Sequence, residues 1–267
     1  MKIKLILFLA LVNDALDEST TSRWKYVDDL TIAESRKSTT RSNISQAVQE
    51  LEIWCESTRM KLNPAKCQFF QISFSRRPPN PEPITISNQP IPECVHVKLL
   101  GVTIQNDLKW NKHVCDVVSR SSKKLYMLRT LKKFGLPAED LLTVFQSYIR
   151  PITEYCAPVW HSSLTLADSN QIESIQKRAL RIILGREYQT YENALITTKL
   201  TTLSERRVKL CVKFAKSLEK NFPQWLPPKQ SELRALRFSD QYRPVKCRTE
   251  RYRKSALPFL VRLLNQK

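Results

Sequence analysis

The chain has 267 residues, with 44 Lys plus Arg against 25 Asp plus Glu, a formal charge of +19. A hydrophobic content of 42% excludes wholesale disorder, and the length suffices for one large core or two small ones. Three Gly against 15 Pro, with no GxGxxG or Walker-type loop, argue against a Gly-cradled nucleotide binder, and the basic excess points to nucleic acid or an acidic membrane surface.

In chain order, Lys2 and Lys4 precede an apolar run from Leu5 to Val12. The run matches a minimal signal peptide, but it is too short to span a bilayer and no small-residue cleavage site follows, so a buried helix over 5–16 is the preferred reading. WKYVDDLTIA at 24–33 is aromatic and β-branched on both sides of an acidic pair, the pattern of a hairpin with carboxylates at its turn. Ile44, Ala47, Val48, Leu51, Trp54, Cys55 and Thr58 recur at helical spacing over 39–62, and Asn63-Pro64 supplies a stop. CQFFQISF at 67–74 predicts a strand. Residues 76–93 form a Pro-rich loop around a short strand at 84–86, and 95–104 a strand pair or a strand bent at Gly101. From Trp110 the periodicity turns helical: 111–133, 138–160 with a kink at Pro151, 169–184 stopped by Gly185, and 203–220. Residues 221–267 read as a basic, Pro-broken tail.

The expectation is therefore an α+β front over 1–105, an all-α region over 106–220 and the tail. Charge divides the same way: 13 basic and 11 acidic residues in 1–105, 31 and 14 in 106–267. Seven cysteines without a CxxC favour a reducing compartment over a disulfide framework. Cys156 and His161 have no second pair to complete a zinc site, so the three histidines, His96, His113 and His161, read as core and surface residues.

Tyr26-Val27-Asp28-Asp29 carries the chemistry. Two adjacent carboxylates repel each other and resist burial unless a cation sits beside them. Hard divalent ions such as Mg²⁺ take such oxygens while keeping waters, and a metal pair can clamp the attacking and leaving oxygens of a phosphoryl transfer. An ordinary acidic surface turn is the competing reading.

Several blocks around this tetrad resemble, in order, the reverse transcriptases of non-LTR (LINE-type, jockey-like) retrotransposons. YVDD at 26–29 resembles the YxDD box of the polymerase palm. LILFLALVNDAL at 5–16 is similar to the helix after the family's Gln-Gly turn, and MKLNPAKCQFFQIS at 60–73 to its Leu-Asn-x-x-Lys block. VKLLGVTIQNDLKWNKHV at 97–114 resembles the primer-grip hairpin, and IRPITEYCAPVW at 149–160 and IESIQKRALRIILG at 172–185 resemble helical blocks after the polymerase.

The resemblance implies part of a right-hand palm (YVDD hairpin, amphipathic helix, strands) followed by a basic thumb-like region. Its activity would be RNA-directed DNA polymerisation with Mg²⁺, an RNA template, a DNA primer and dNTPs, inside the cell and not at a membrane. Asp28 and Asp29 would be metal ligands. Tyr26 would stack near the primer end or serve as a cross-strand aromatic. Lys66 would donate a proton to pyrophosphate or remain a solvated lysine. Leu100, Gly101 and Val102 would form the primer grip, with a plain bulge at Gly101 as the alternative. Trp110, Tyr148, Tyr155 and Trp160 would be core. Lys123, Lys124, Lys132, Lys133, Lys177, Arg178 and Arg181 would contact the duplex backbone. The family's third carboxylate, Gln-Gly turn and fingers have no counterpart here, so this chain alone is expected not to polymerise DNA. A non-catalytic nucleic-acid-binding remnant is the second reading, and a secreted basic protein the third.

Overall fold

Five-residue strands β1 (Ser22–Tyr26) and β2 (Asp29–Ala33) pair antiparallel, with Tyr26 opposite Asp29. The turn is therefore Val27-Asp28, and Asp29 already belongs to a strand. The computed structural model describes Ala15 and residues 21–37, 40–75, 82–230 and 241–266. The helix expected over 5–16 lies outside the described residues, apart from the buried Ala15. The chain divides into two units, residues 1–97 and 98–267. This division sharpens the charge asymmetry to 12 basic against 11 acidic residues in the first unit and 32 against 14 in the second.

In the first unit, helix α1 (Ile44–Ser57) turns Leu51 and Cys55 toward Leu30 and Ile32 of β2, and Val48 toward Ile84, Ile86 and Ile91. The i, i+3, i+4, i+7 pattern dictates this, because those positions share one helix face. The helix ends well before Asn63. Arg59 takes φ 56°, the Met60 N–H bonds the Cys55 carbonyl at 2.8 Å, and the Arg59 N–H bonds that of Glu56 at 3.1 Å. That is a Schellman cap with Arg where Gly is usual, so no Gly marked the stop. The strand expected over 67–74 is reduced to one parallel bridge, Phe69 to Glu93, because an extended segment becomes a strand only where a neighbour continues the ladder. Strands β3 (Thr85–Ile86) and β4 (Gln89–Pro90) form a small hairpin, with positive φ at both Ser87 and Asn88.

Strands β5 (His96–Leu99) and β6 (Val102–Gln105) are joined by Leu100-Gly101, both at positive φ. A two-residue connection demands antiparallel pairing and selects such a turn. The strand-pair alternative holds, and Gly101 is a turn residue and not a bulge.

The second unit is helical. Helix α2 (Asn111–Lys133) runs along α6 (Leu166–Leu184), burying Leu125, Leu128, Ile175, Ala179, Leu180 and Ile183 together. Capping boxes start α6, at Thr165 with Asp168, and α8 (Leu203–Asn221), at Thr202 with Glu205. The segment 138–160 is not one kinked helix. It passes through α3 (Ala138–Val144), a π-helical turn at Phe145–Ile149, α4 (Arg150–Glu154) and α5 (Ala157–Trp160). Pro151 lacks the N–H that would continue the regular ladder, and Cys156, at φ 52°, breaks the chain direction a second time.

The described residues of the expected tail, 221–230 and 241–266, include ordered helices. Helices α9 (Glu250–Arg253) and α10 (Ala256–Asn265) follow, and Leu260, Val261 and Leu264 pack with Cys211, Ala215 and Leu218 of α8. Pro258 is tolerated because it lies in the first turn of α10, where backbone N–H groups have no helical partner. No described helix is long and apolar enough to cross a membrane.

Helix α7 (Tyr191–Thr197) also ends in a Schellman cap, with Lys199 at φ 53° and the Leu200 N–H bonding the Leu195 carbonyl at 2.9 Å. A left-handed L-residue is strained where Gly is not. Lys199→Gly is expected to raise stability by about 0.5–1 kcal/mol, read as a higher urea midpoint at unchanged slope.

Candidate nucleic-acid interface

At the tip of the first unit's hairpin, Asp28 and Asp29 are both exposed. Tyr26 and Trp24, which share the outer face of β1, are 62% and 58% exposed. Val27 holds φ 57°, a strained value for a β-branched residue, which persists only when the flanking strands impose it. Lys66 lies exposed at the end of a 3₁₀ turn, Pro64–Lys66.

In the second unit, the turn at Leu100-Gly101 is held by Tyr155. Its hydroxyl donates to the Leu100 carbonyl at 2.9 Å, and its ring would lie 3.2 Å from a Cβ at 101. A side chain at 101 is thus opposed twice, by the positive φ and by the ring. Val102 is buried in the core around Trp160, Ile172 and Leu203.

The basic residues separate by what they touch. Lys132 donates to the carbonyls of Ile182 (2.6 Å) and Ile183 (2.7 Å), capping the C-terminus of α6, where a cation is favoured. Gly185 makes room for it, since a Cβ there would sit 2.7 Å from the Lys132 Nζ. Lys123 and Lys133 are exposed. Arg178 donates to the Ser122 hydroxyl at 2.9 Å and so joins α6 to α2. Three of the cations expected to contact a duplex lie over tyrosine rings: Lys124 over Tyr148 at 5.2 Å, Lys177 over Tyr191 at 5.0 Å and Arg181 over Tyr188 at 5.3 Å. An aromatic face steadies such a side chain while leaving its charge toward solvent. Exposed cations backed by aromatics suit a phosphate backbone better than scattered lysines do.

No family profile matches the chain, and no solved structure does. Three proteins of Drosophila melanogaster are similar to it. The probable RNA-directed DNA polymerase from transposon X-element is 27% identical over 141 residues, 51% of this chain and 15% of that protein. The probable RNA-directed DNA polymerase from transposon BS is 23% identical over 167 residues, 61% and 18%. The RNA-directed DNA polymerase from mobile element jockey is 21% identical over 253 residues, 92% and 27%. The chain is a relative of the non-LTR retrotransposon RNA-directed DNA polymerases. It spans less than a third of the length of each, and the jockey match, at 92% of the chain, takes in residues of both units.

Among the described residues of this polymerase relative, no group of three or more His, Cys, Asp or Glu side chains suited to a metal occurs, so those residues offer the paired aspartates no third ligand. Two adjacent carboxylates are too few donors for a metal pair.

Sequence reasoning missed the polar pins of the helical unit. His113, 1% exposed, accepts the Thr103 N–H on Nδ1 at 3.3 Å, which ties β6 to α2. His161 faces the Arg207 guanidinium, whose Nε donates to its Nδ1 at 3.3 Å. Burial first, and then the cations Arg120 and Arg207 respectively, push both imidazoles down to about 4. Of the aromatics expected in the core, Trp160 is fully buried, whereas Tyr148 and Tyr155 are exposed. Helical spacing places a side chain on a face but does not reveal whether anything covers it.

Both histidines stay neutral in the folded state well below the pH at which they protonate unfolded. Folding thus keeps its full stability above about pH 6.5 and loses it as pH falls toward 4. An expected loss of about 2–3 kcal/mol per histidine between pH 7 and 4 would appear in urea unfolding followed at several pH values. His161→Gln should flatten that slope.

Proposed function

We propose that this chain carries the C-terminal part of the palm of a retrotransposon RNA-directed DNA polymerase, followed by a thumb-type region. In this reading residues 1–105 are palm-type and 106–220 a thumb-type region gripping the backbone of an RNA–DNA duplex. The observation that carries the reading is the second unit itself, with 32 basic against 14 acidic residues and three exposed cations, Lys124, Lys177 and Arg181, each backed by a tyrosine ring. The polymerases named among its relatives support an RNA template, a DNA primer and dNTPs as the wider substrates.

Asp28 and Asp29 are the carboxylates that would face a divalent ion such as Mg²⁺. The donor set among the described residues falls short of a metal pair, so no step of nucleotidyl transfer is assigned to this chain. Tyr26 and Trp24 offer aromatic surface beside that tip, and Lys66 is an exposed cation at the end of the Pro64–Lys66 turn, open to either of its two expected roles. The Leu100-Gly101-Val102 turn, held by Tyr155, serves as the primer-grip element.

The test is duplex binding followed across salt. Sequence-independent binding should weaken steeply as salt rises, with a log–log slope of about −3 or steeper. It should be indifferent to Mg²⁺ beyond ionic strength, unaffected by Asp28→Ala, and unaccompanied by primer extension. Templated extension that Asp28→Ala abolishes would show that the chain completes the polymerase site after all. Salt-insensitive binding would remove the backbone grip.

A further inference from the structure

Strands β5 and β6 leave a cleft of about 260 Å³ against helix α2, lined by Lys98, Thr103, Asp116, Ser119 and Arg120, all in the second unit. None of these residues belongs to the basic clusters read from sequence. The two-residue turn sets Lys98 opposite Thr103 on one face of the hairpin. Asp116, Ser119 and Arg120 stand at i, i+3 and i+4 on one face of α2. Two elements from separate parts of the chain thus meet around one concavity.

The charge inside it is unbalanced. The Asp116 carboxylate accepts from the Thr103 hydroxyl at 2.9 Å and pairs with Lys112 at 3.6 Å, so its charge is already answered. Lys98 and Arg120 pair with no carboxylate among the described residues, and Arg120 makes only a long bond, 3.4 Å, to the Asp116 backbone carbonyl. The Ser119 hydroxyl is exposed at the same place. Both cations act on the buried His113 behind the cleft, each opposing its protonation, so the two fields overlap. Two cations and a hydroxyl with no acidic partner among the described residues, around a cleft roomy enough for a tetrahedral anion and several waters, are the donors a phosphate uses.

We propose that this cleft seats one phosphate of a nucleic-acid strand, gripped by Lys98 from the hairpin and by Arg120 and Ser119 from α2. The inference rests on the duplex-binding reading above and extends it by naming a contact beside the Leu100-Gly101 turn. A phosphate there would register the hairpin against the backbone and would carry no base information.

The experiment uses the full chain, a labelled short RNA–DNA duplex and fluorescence anisotropy across salt. Lys98→Gln combined with Arg120→Gln, both at exposed positions, should weaken binding about tenfold at about 0.1 M salt and make the salt slope shallower by about 1. Ser119→Asp, which places a carboxylate in the cleft, should weaken it similarly. Unchanged circular dichroism would confirm that all three substitutions leave the fold intact. Wild-type binding that neither variant alters would overturn the cleft contact and leave the wider reading standing. If the wild type binds no duplex, the wider reading itself fails. Where neither variant alters duplex binding, inorganic phosphate is added while the Thr103 and Ser119 amides are followed by NMR. Shifts that the double substitution removes would reassign the cleft to a free phosphate compound, and no shift would leave it without a ligand. Either result overturns the strand contact.

Discussion

Replacing Lys177, Arg178 and Arg181 together with Gln is expected to weaken duplex binding by roughly two orders of magnitude at about 0.1 M salt, because each lost phosphate contact removes close to one released counterion. The salt slope should fall by about 2–3. These three side chains lie within two turns of α6, and two of them rest on tyrosine rings, so their charges are held in place before the ligand arrives. The control is a second triple substitution of equal charge, Arg243, Lys246 and Arg248 to Gln, at exposed positions on the stretch before α9. A face-specific grip leaves this control near wild-type affinity. Equal losses from both triples would mean that the +19 chain binds by diffuse attraction alone, and the assignment to α6 would be lost.

Glu173→Ala is expected to lower stability by about 3–4 kcal/mol. Glu173 is 9% exposed, on the buried side of α6. Its carboxylate accepts the Leu203 N–H at 3.0 Å and the Ser204 N–H at 3.2 Å, and it also takes the hydroxyl of Tyr191. The two amides are the first of α8, so a full negative charge sits where the helix presents its positive end. The same contacts, with burial as the larger cause, drive the Tyr191 hydroxyl above its ordinary range. Alanine would leave one buried N–H, one half-buried N–H and a phenol without that acceptor. Glu173→Gln keeps one acceptor oxygen and should lose about half as much. Chemical denaturation of both variants separates the cases. Equal small losses would show that water replaces the carboxylate and that α8 is capped well enough by Thr202 and Glu205.

Glu173 also marks where sequence reading stops. In IESIQKRALRIILG it reads as one more polar residue on an amphipathic helix. Nothing local distinguishes it from Glu187 or Glu192, because what buries it arrives about thirty residues later as the start of α8. Lys132 behaves the same way. Its neighbours Lys123, Lys124 and Lys133 are exposed, whereas Lys132 turns inward to carbonyls fifty residues along the chain. Lys98 and Arg120 are 22 positions apart and acquire a common cleft only when the hairpin folds back on α2.

What the sequence by itself determined is whatever depends on short spacing. The helix over 111–133 has the boundaries its periodicity implies, the aspartate hairpin turns within its tetrad, and Gly101 and Gly185 sit at positive φ. The basic excess toward the C-terminal side, and the blocks resembling the retrotransposon polymerases, are likewise properties of residue order. Only the tertiary structure decided the rest. It ended α1 at a left-handed Arg59 and broke 138–160 at a π-turn and at Cys156. It reduced 67–74 to a single bridge and docked α10 onto α8. The reason is the same in each case. A cap, a ladder or a buried charge is stabilised by a partner distant in sequence, and local propensity, worth tenths of a kcal/mol per residue to about one, yields to contacts worth several.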